Sequence, residues 1–392
     1  MIEFRDTTLG DALDFFNGKA IKPGTEGTYP VFGSNGLIGG SNSFRFEDGV
    51  IIGRVGAYCG SVAFCPSRFW ASDNTIVAKP KDRDGCTRFF SYLLQEMDLH
   101  RHAGGAAQPL VTQTILNAVK VRLPSPPHQR RIASILSSYD DLIENNTRRI
   151  AILEEMARRI YEEWFVHFRF PGHEQVRMVE SELGPVPEGW NVVPLASIVD
   201  TQYGYTESAT TEPVGPKFLR GMDINKQSYV DWSAVPFCPI SEAELPKFKL
   251  NVGDILVIRM ADPGKVGIIE KHVGAVFASY LVRLRITDQR FSPYYLFYFL
   301  TGDWYQGYIT GASTGTTRKS ASAPVITGTS LVLPPADWIK RFDAQIGPLR
   351  KLLNRLLDAN ANLRTTRDLL LPKLISGELD VSALPEPEAV AA

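Results

Sequence analysis

Two stretches of the chain carry apolar residues at alternating steps of four and three. In the first, Leu136, Ile143, Ile150, Ala157 and Trp164 share one heptad position, and Ile132, Tyr139, Asn146, Leu153 and Ile160 the other. In the second, Phe342, Leu349, Leu356, Leu363 and Leu370 alternate with Ile346, Leu353, Asn360 and Arg367. This spacing keeps one stripe of an α-helix apolar. Each run is about 35 residues, or roughly 50 Å of helix. Pro372, in "LLLPKLISG", is expected to end or kink the second helix. A single amphipathic helix packs on its own domain, whereas a sustained heptad favours two helices packed on each other. Antiparallel pairing lets Trp164 meet Phe342, Ala157 meet Leu349, Ile150 meet Leu356 and Ile143 meet Leu363, and it sets Asn146 opposite Asn360. Sliding by one heptad would bury each amide against hydrocarbon, so the asparagines propose the register unless either amide instead reaches solvent.

Each long run follows the same kind of sequence. The first copy reads "YPVFGSNGLIGG", "GVIIGRVGAYCGSVAF", "FWASDNTIVAKP", "RFFSYLL" and "GGAAQPLVTQTILNAVKVRLPSPPHQ"; the second reads "KFLRGMDINK", "VGDILVIRMADPGKVGIIE", "AVFASYLVRLRI", "YYLFYFL" and "GASTGTTRKSASAPVITGTSLVLPPAD". In both, an apolar strand ends in Arg and is followed by a Gly-rich turn, more β-branched strand, an aromatic helix, a polar loop and a strand ending in Leu-Pro. Arg54 and Arg259 hold equivalent places, as do Pro124 and Pro334. This is an internal repeat of close to half the chain. The expected fold class is α/β: two mixed α/β domains joined by two long helices in an antiparallel coiled coil, with pseudo two-fold symmetry. The boundaries fall at 1–126, 127–170 (first helix), 171–335 (polar linker and second domain), 336–380 (second helix) and a frayed tail at 381–392.

Composition narrows the chemistry. The apolar fraction of 44% and charged fraction of 22% are those of ordinary globular protein, and the formal net charge of -1 supplies no global field for a polyanion. Cys59, Cys65, Cys86 and Cys238 form no paired zinc pattern, and the six histidines no ligand cluster. His128 is expected to bond locally at the start of the first helix. No phosphate loop, nucleophile with its base, or Asn/Asp-Pro-Pro-aromatic motif for base methylation is present. With no signal region and no apolar run long enough to span a bilayer, a cytoplasmic location is expected.

The fragments "DALDFFNGKA", "YPVFGSNGLIGG", "IIGRVGAYCGSV", "AAQPLVTQTILNAVKVRLPSPPHQRRIASILSSYDDLIENN", "LEEMARRIYEEWFV", "LRGMDINK", "GDILVIRMADPGKVG" and "RDLLLPKLISGEL", taken together and in order, resemble the specificity (S) subunits of type I restriction-modification systems over nearly the whole chain. The resemblance implies two target-recognition domains reading the two halves of a bipartite site in double-stranded DNA. It implies a noncatalytic subunit whose partners are two methyltransferase (M) subunits and restriction and motor (R) subunits. S-adenosylmethionine would be bound by the methyltransferase, ATP and Mg by the motor-endonuclease, and no cofactor or metal by this chain. Two other classes stay open: a protein-protein adaptor, and a metal-dependent nuclease with an unrecognised acidic site.

Side chains able to match base edges are expected in the loops. In the first domain these are Asn35, Arg54, Gln108 and Thr112, with Arg54 alternatively a structural ion pair. In the second they are Lys217, Arg220, Arg259 and Lys265, with Thr316, Thr317, Arg318 and Lys319 of "GASTGTTRKS", a loop that is otherwise merely solvated. Asn146, Asn360, Trp164 and Phe342 are the register residues of the coiled coil.

Overall fold

The computed structural model describes residues 4–24, 26–104, 109–225, 227–288, 290–315 and 319–384. The chain forms two compact units, one of Met1–Glu144 with Asn362–Ala392 and one of Asn145–Ala361. Both long helices contribute to both units.

In the first unit, β1 (Phe4–Thr8) leads through the one-turn helix α1 (Leu9–Ala12) into β2 (Leu13–Asn17), β3 (Tyr29–Gly33), β4 (Gly36–Ser41), β5 (Phe46–Gly53), β6 (Val62–Ala71) and β7 (Thr75–Pro80). Strands β2 to β7 make one sheet of order β2-β7-β5-β6-β3-β4. The "GVII" run of β5 is central, so Val50, Ile51 and Ile52 are buried and read as a continuous apolar stretch. Helix α2 (Thr87–Glu96) lays Phe89, Phe90 and Leu94 into the same core. Next come α3 (Gln113–Ala118), β8 (Lys120–Pro124), which pairs antiparallel with β1, and the long α4 (Pro126–Tyr161). Proline in the first turn of α4 removes only donors that have no intrahelical acceptor, and Ser125 Oγ lies 2.8 Å from His128 Nδ1 there.

The second unit opens on the short pair β9 (Met178–Val179) and β10 (Val186–Pro187), then β11 (Asn191–Pro194), β12 (Val199–Tyr203), β13 (Lys217–Leu219), α5 (Leu245–Phe248), β14 (Ile255–Ile258), β15 (Val266–Ile268), β16 (Ala275–Phe277) and β17 (Leu281–Ile286). The main sheet has order β12-β17-β14-β15. Helix α6 (Pro293–Thr301) is buried from Tyr295 to Leu300, which is why "YYLFYFL" is apolar all round. Helices α7 (Asp303–Ala312) and α8 (Ala323–Ile326) and strand β18 (Ser330–Leu333) lead into α9 (Ala336–Ser376). The repeat expected from sequence is present as matched elements: β5, β6 and β7 correspond to β14, β15 and β17, α2 to α6, α3 to α8, β8 to β18 and α4 to α9.

Helix α9 does not end at Pro372; it runs on to Ser376 and stops at Gly377, whose φ is +81°. A mid-helix proline costs about 3 kcal/mol, but Leu374 is buried and Ile375 packs on the first unit's core, which holds the last turn in place. No described helix is long and apolar enough to cross a membrane.

Candidate nucleic-acid interface

One backbone frame is built twice. In the first unit the Arg54 amide donates to Asn74 O (2.9 Å), and Val111 donates back to Arg54 O (3.0 Å). Gly104 and Leu110 exchange both backbone bonds, closing a loop between them. In the second unit the Arg259 amide donates to Tyr280 O (2.9 Å), and Ala321 donates to Arg259 O (2.8 Å). Thr314 and Ser320 exchange the pair that closes the corresponding loop, which has the same length. Two residues after each arginine the chain turns left-handed, at Gly56 (φ +74°) and at Ala261 (φ +71°). Glycine adopts that conformation freely; alanine holds it at a cost, so the turn is imposed by the frame rather than chosen by local sequence.

The arginines at the head of these frames share an unusual state. Nε of Arg54 and Nε of Arg259 are both buried and have no hydrogen-bond partner among the described residues. Neither forms an ion pair among the described residues, so the structural ion pair open for Arg54 is not found there. A buried donor left unbonded costs about 1–3 kcal/mol, and the same side-chain atom is buried at both matched positions. Arg259 also lies over the Tyr203 ring, 4.8 Å from its centroid. Lys265 and Lys319 are exposed on either side of the Arg259 frame, and Ala261 donates to Lys319 O at 3.0 Å.

Asn35 is exposed in the two-residue turn between β3 and β4. That turn is fastened to the Arg54 frame, because Ser34 Oγ donates to Asn74 O at 2.6 Å, the same carbonyl that receives the Arg54 amide. Asn35, Arg54 and Asn74 therefore gather at one place. Thr112 sits beside them, its hydroxyl oxygen accepting the Ile115 amide as the N-cap of α3. In the second unit Lys217 donates to Val235 O (2.7 Å) and lies over the Phe237 ring. Arg220 is held by both oxygens of Asp223 at 2.9 and 3.1 Å. Gln108, Thr316, Thr317 and Arg318 lie outside the described residues. Sequence reasoning did not single out Asn74, Tyr203 or Tyr280; the matching Ala-Ser pairs in "FWASDNTIVAKP" and "AVFASYLVRLRI" were the signal that Asn74 and Tyr280 flank equivalent strands.

The register residues meet as the heptads require. Within the second unit Asn146 Nδ2 donates to Asn360 Oδ1 at 2.9 Å, and the Trp164 and Phe342 rings lie 6.4 Å apart. Ile150, Leu153, Leu353 and Leu356 form an apolar cluster between those two ends. The helices are antiparallel, and the asparagines are paired with each other rather than with hydrocarbon. Burial raises the thiols of Cys59, Cys86 and Cys238, the last to about 11, the reverse of the shift that activates a nucleophile.

The family model for the type I restriction modification DNA specificity domain matches residues 1–155. The specificity subunit of the MjaIX type I restriction enzyme of Methanocaldococcus jannaschii is 26% identical over 366 residues, covering 86% of this chain and 79% of that one. The MjaVIII specificity subunit of the same organism is 24% identical over 400 residues, covering 96% and 93%. The crystal structure of a type I restriction-modification S subunit from M. genitalium shares the fold, with a TM-score of 0.64 over 95% of this chain and 96% of that one at 15% identity. These likenesses show what the chain is similar to: the type I restriction modification DNA specificity domain over residues 1–155, and type I specificity subunits over most of its length.

Proposed function

We propose that each unit reads one half of a bipartite duplex target, that the paired helices set the gap, and that the chain itself performs no chemistry. The observation that carries this reading is the backbone frame built twice around an arginine whose Nε is buried. A residue that is the same in both units cannot distinguish two different half-sites. Arg54 and Arg259 therefore hold phosphate, which fixes orientation without reading sequence. Reading falls to residues that differ between the frames: Asn35, Asn74, Thr112 and Gln108 in the first, and Tyr280, Lys265, Thr316, Thr317, Arg318 and Lys319 in the second. Asparagine can bond both edge atoms of adenine in the major groove. Lys217 and Arg220 are engaged locally, with Val235 and Asp223, and are not assigned to reading.

In this reading the subunit works in the cytoplasm, where two methyltransferase subunits carry S-adenosylmethionine and take the target adenine of each half-site out of the stack. Restriction and motor subunits supply ATP- and Mg-dependent translocation and cutting. With a net charge of -1, the isolated chain displaces few counterions, and the complex completes the positive surface.

The test is to assemble the chain with its methyltransferase and map adenine methylation on a random DNA library by single-molecule sequencing. One bipartite motif with a constant gap is expected. Arg54→Ala and Arg259→Ala should each leave the motif unchanged and lower the salt slope of binding by about 0.9. Asn74→Ala should relax one position of the first half-site and Tyr280→Ala one of the second, each by about 1–3 kcal/mol of discrimination. An arginine variant that altered which bases flank the methylated adenine would refute the division of labour.

A further inference from the structure

The repeat runs without insertion from Leu123-Pro124 into α4 and from Leu333-Pro334 into α9, so counterpart positions on the two helices can be read directly. Asp140 of α4 and Arg350 of α9 are counterparts. In the first unit the Asp140 carboxylate accepts from the Tyr92 hydroxyl of α2 and from Arg367 of α9 (2.6 Å), with Arg88 3.8 Å away. In the second unit Arg350 is fully buried, bonded to both oxygens of Glu270 (2.9 and 2.6 Å) and to the hydroxyl and carbonyl oxygens of Ser228 (both 2.8 Å). The aromatic helix supplies a tyrosine to the same place in each unit, Tyr92 and Tyr298. The helix residue opposite is an acid in one unit and a base in the other.

The inversion recurs. Glu154 of α4 accepts from the Ser228 amide at 3.2 Å, and its counterpart on α9 is Arg364. Asp358 of α9 receives Lys271 at 2.5 Å, and its counterpart on α4 is Arg148. Arg367, which holds Asp140, has Ala157 as its counterpart, fully buried in the second unit's core.

We propose that these residues are a charge key that seats each globular domain on its own stretch of the two helices and rejects the other domain there. A second-domain globule placed on the first stretch would set the Glu270 carboxylate against Asp140 and Ser228 against Arg364. Like charges brought together with partial desolvation are strongly unfavourable. For a reader of two half-sites the key fixes which half is read from which stretch. That consequence rests on the proposed function, whereas the key itself does not.

The test is a full-length chimera in which residues 190–333 are copied in place of residues 4–123, made once with native helices and once with the counterpart residues Asp140→Arg, Arg364→Glu and Arg367→Ala. Urea unfolding followed by circular dichroism is the readout. The native-helix chimera should unfold at lower urea than the counterpart chimera. Asp140→Arg should also change sign with context, lowering the midpoint in the natural chain, where Arg88 and Arg367 face it, and raising it in the chimera, where Glu270 does. Equal midpoints for the two chimeras, an unchanged sign, or a counterpart chimera that stays insoluble would each overturn the key. A counterpart chimera that folds and, with the methyltransferase, directs methylation to a repeated half-site supports both inferences. One that folds but directs no such motif supports the key and defeats the DNA reading.

Discussion

The two units seat the same kind of globule on the same pair of helices, yet they anchor it in opposite ways. Around Asp140 the groups stay partly solvated: Asp140 and Arg367 each keep 28% of their side-chain exposure and Arg88 30%. Around Arg350 exposure is 0%, and its partner Glu270 keeps 7%. A half-solvated network can lose a member and let water take its place. A sealed one cannot, because the charge left behind loses its counter-ion where water hardly reaches. The duplicated architecture therefore conceals a difference in commitment, with an adjustable seat in the first unit and a locked one in the second.

The largest effect that would break this contrast is on stability. Arg350→Met should destabilise the second unit by about 3–5 kcal/mol, the cost of stranding a buried carboxylate. Asp140→Asn should cost the first unit about 1 kcal/mol or less, as expected for exposed and half-exposed pairs. Denaturant titration of the full chain compares them; equal losses would show that the two seats are alike.

A smaller effect concerns the seam between the helices. Pseudo-symmetry carries the facing pair Asn146 and Asn360 onto Ile150 and Leu356, so a polar pair in one half of the seam matches an apolar pair in the other. Asn146→Leu alone should cost about 1–3 kcal/mol, since Asn360, only 2% exposed, loses the donor to its carboxamide oxygen. Replacing both asparagines with leucine should recover that loss and remove the barrier to sliding by a heptad. The expected signature is more than one gap in the methylated motif. A single unchanged gap in the double variant would assign the register to the globules instead of the asparagines.

How much of this was legible depended on the range of the interaction. The heptads revealed the register because a buried amide is costly wherever it lies, so Asn146 and Asn360 could be paired from spacing alone. The order of apolar and glycine-rich segments revealed the repeat, and with it the equivalence of Arg54 and Arg259. Their buried Nε atoms were not legible, since burial there depends on strands and a loop that meet only in the fold. Asn74 and Tyr280 were missed for the same reason: each becomes notable only through the carbonyl it offers to the neighbouring arginine. Lys217 and Arg220 looked like free cations in sequence, although the carboxylate three residues beyond Arg220 was a readable sign of a local pair. Pro372 does not end the helix, because local preference is outweighed by the buried Leu374 that follows it.

The smallest effect tests the same comparison at a single side chain. Asp343, near the start of α9, has Ala133 as its counterpart on α4, and Ala133 is simply buried. Burial raises the Asp343 carboxyl above its ordinary value of 3.8, with the Ser292 hydroxyl opposing in part, and Oδ1 has no hydrogen-bond partner among the described residues. A carboxyl raised on folding binds its proton more tightly in the folded state. Its cost is therefore absent at low pH and accumulates as the pH rises from the unfolded value through the folded one. Asp343→Ala should then raise Tm at neutral pH by a few degrees at most, about what 1 kcal/mol gives in a chain of this size. The gain should shrink as the pH falls toward 3.8. Part of it reflects the better helix propensity of alanine, which does not vary with pH. A gain that stayed constant across that range would leave propensity as its whole cause and would remove the strained carboxylate from the differences between the two units.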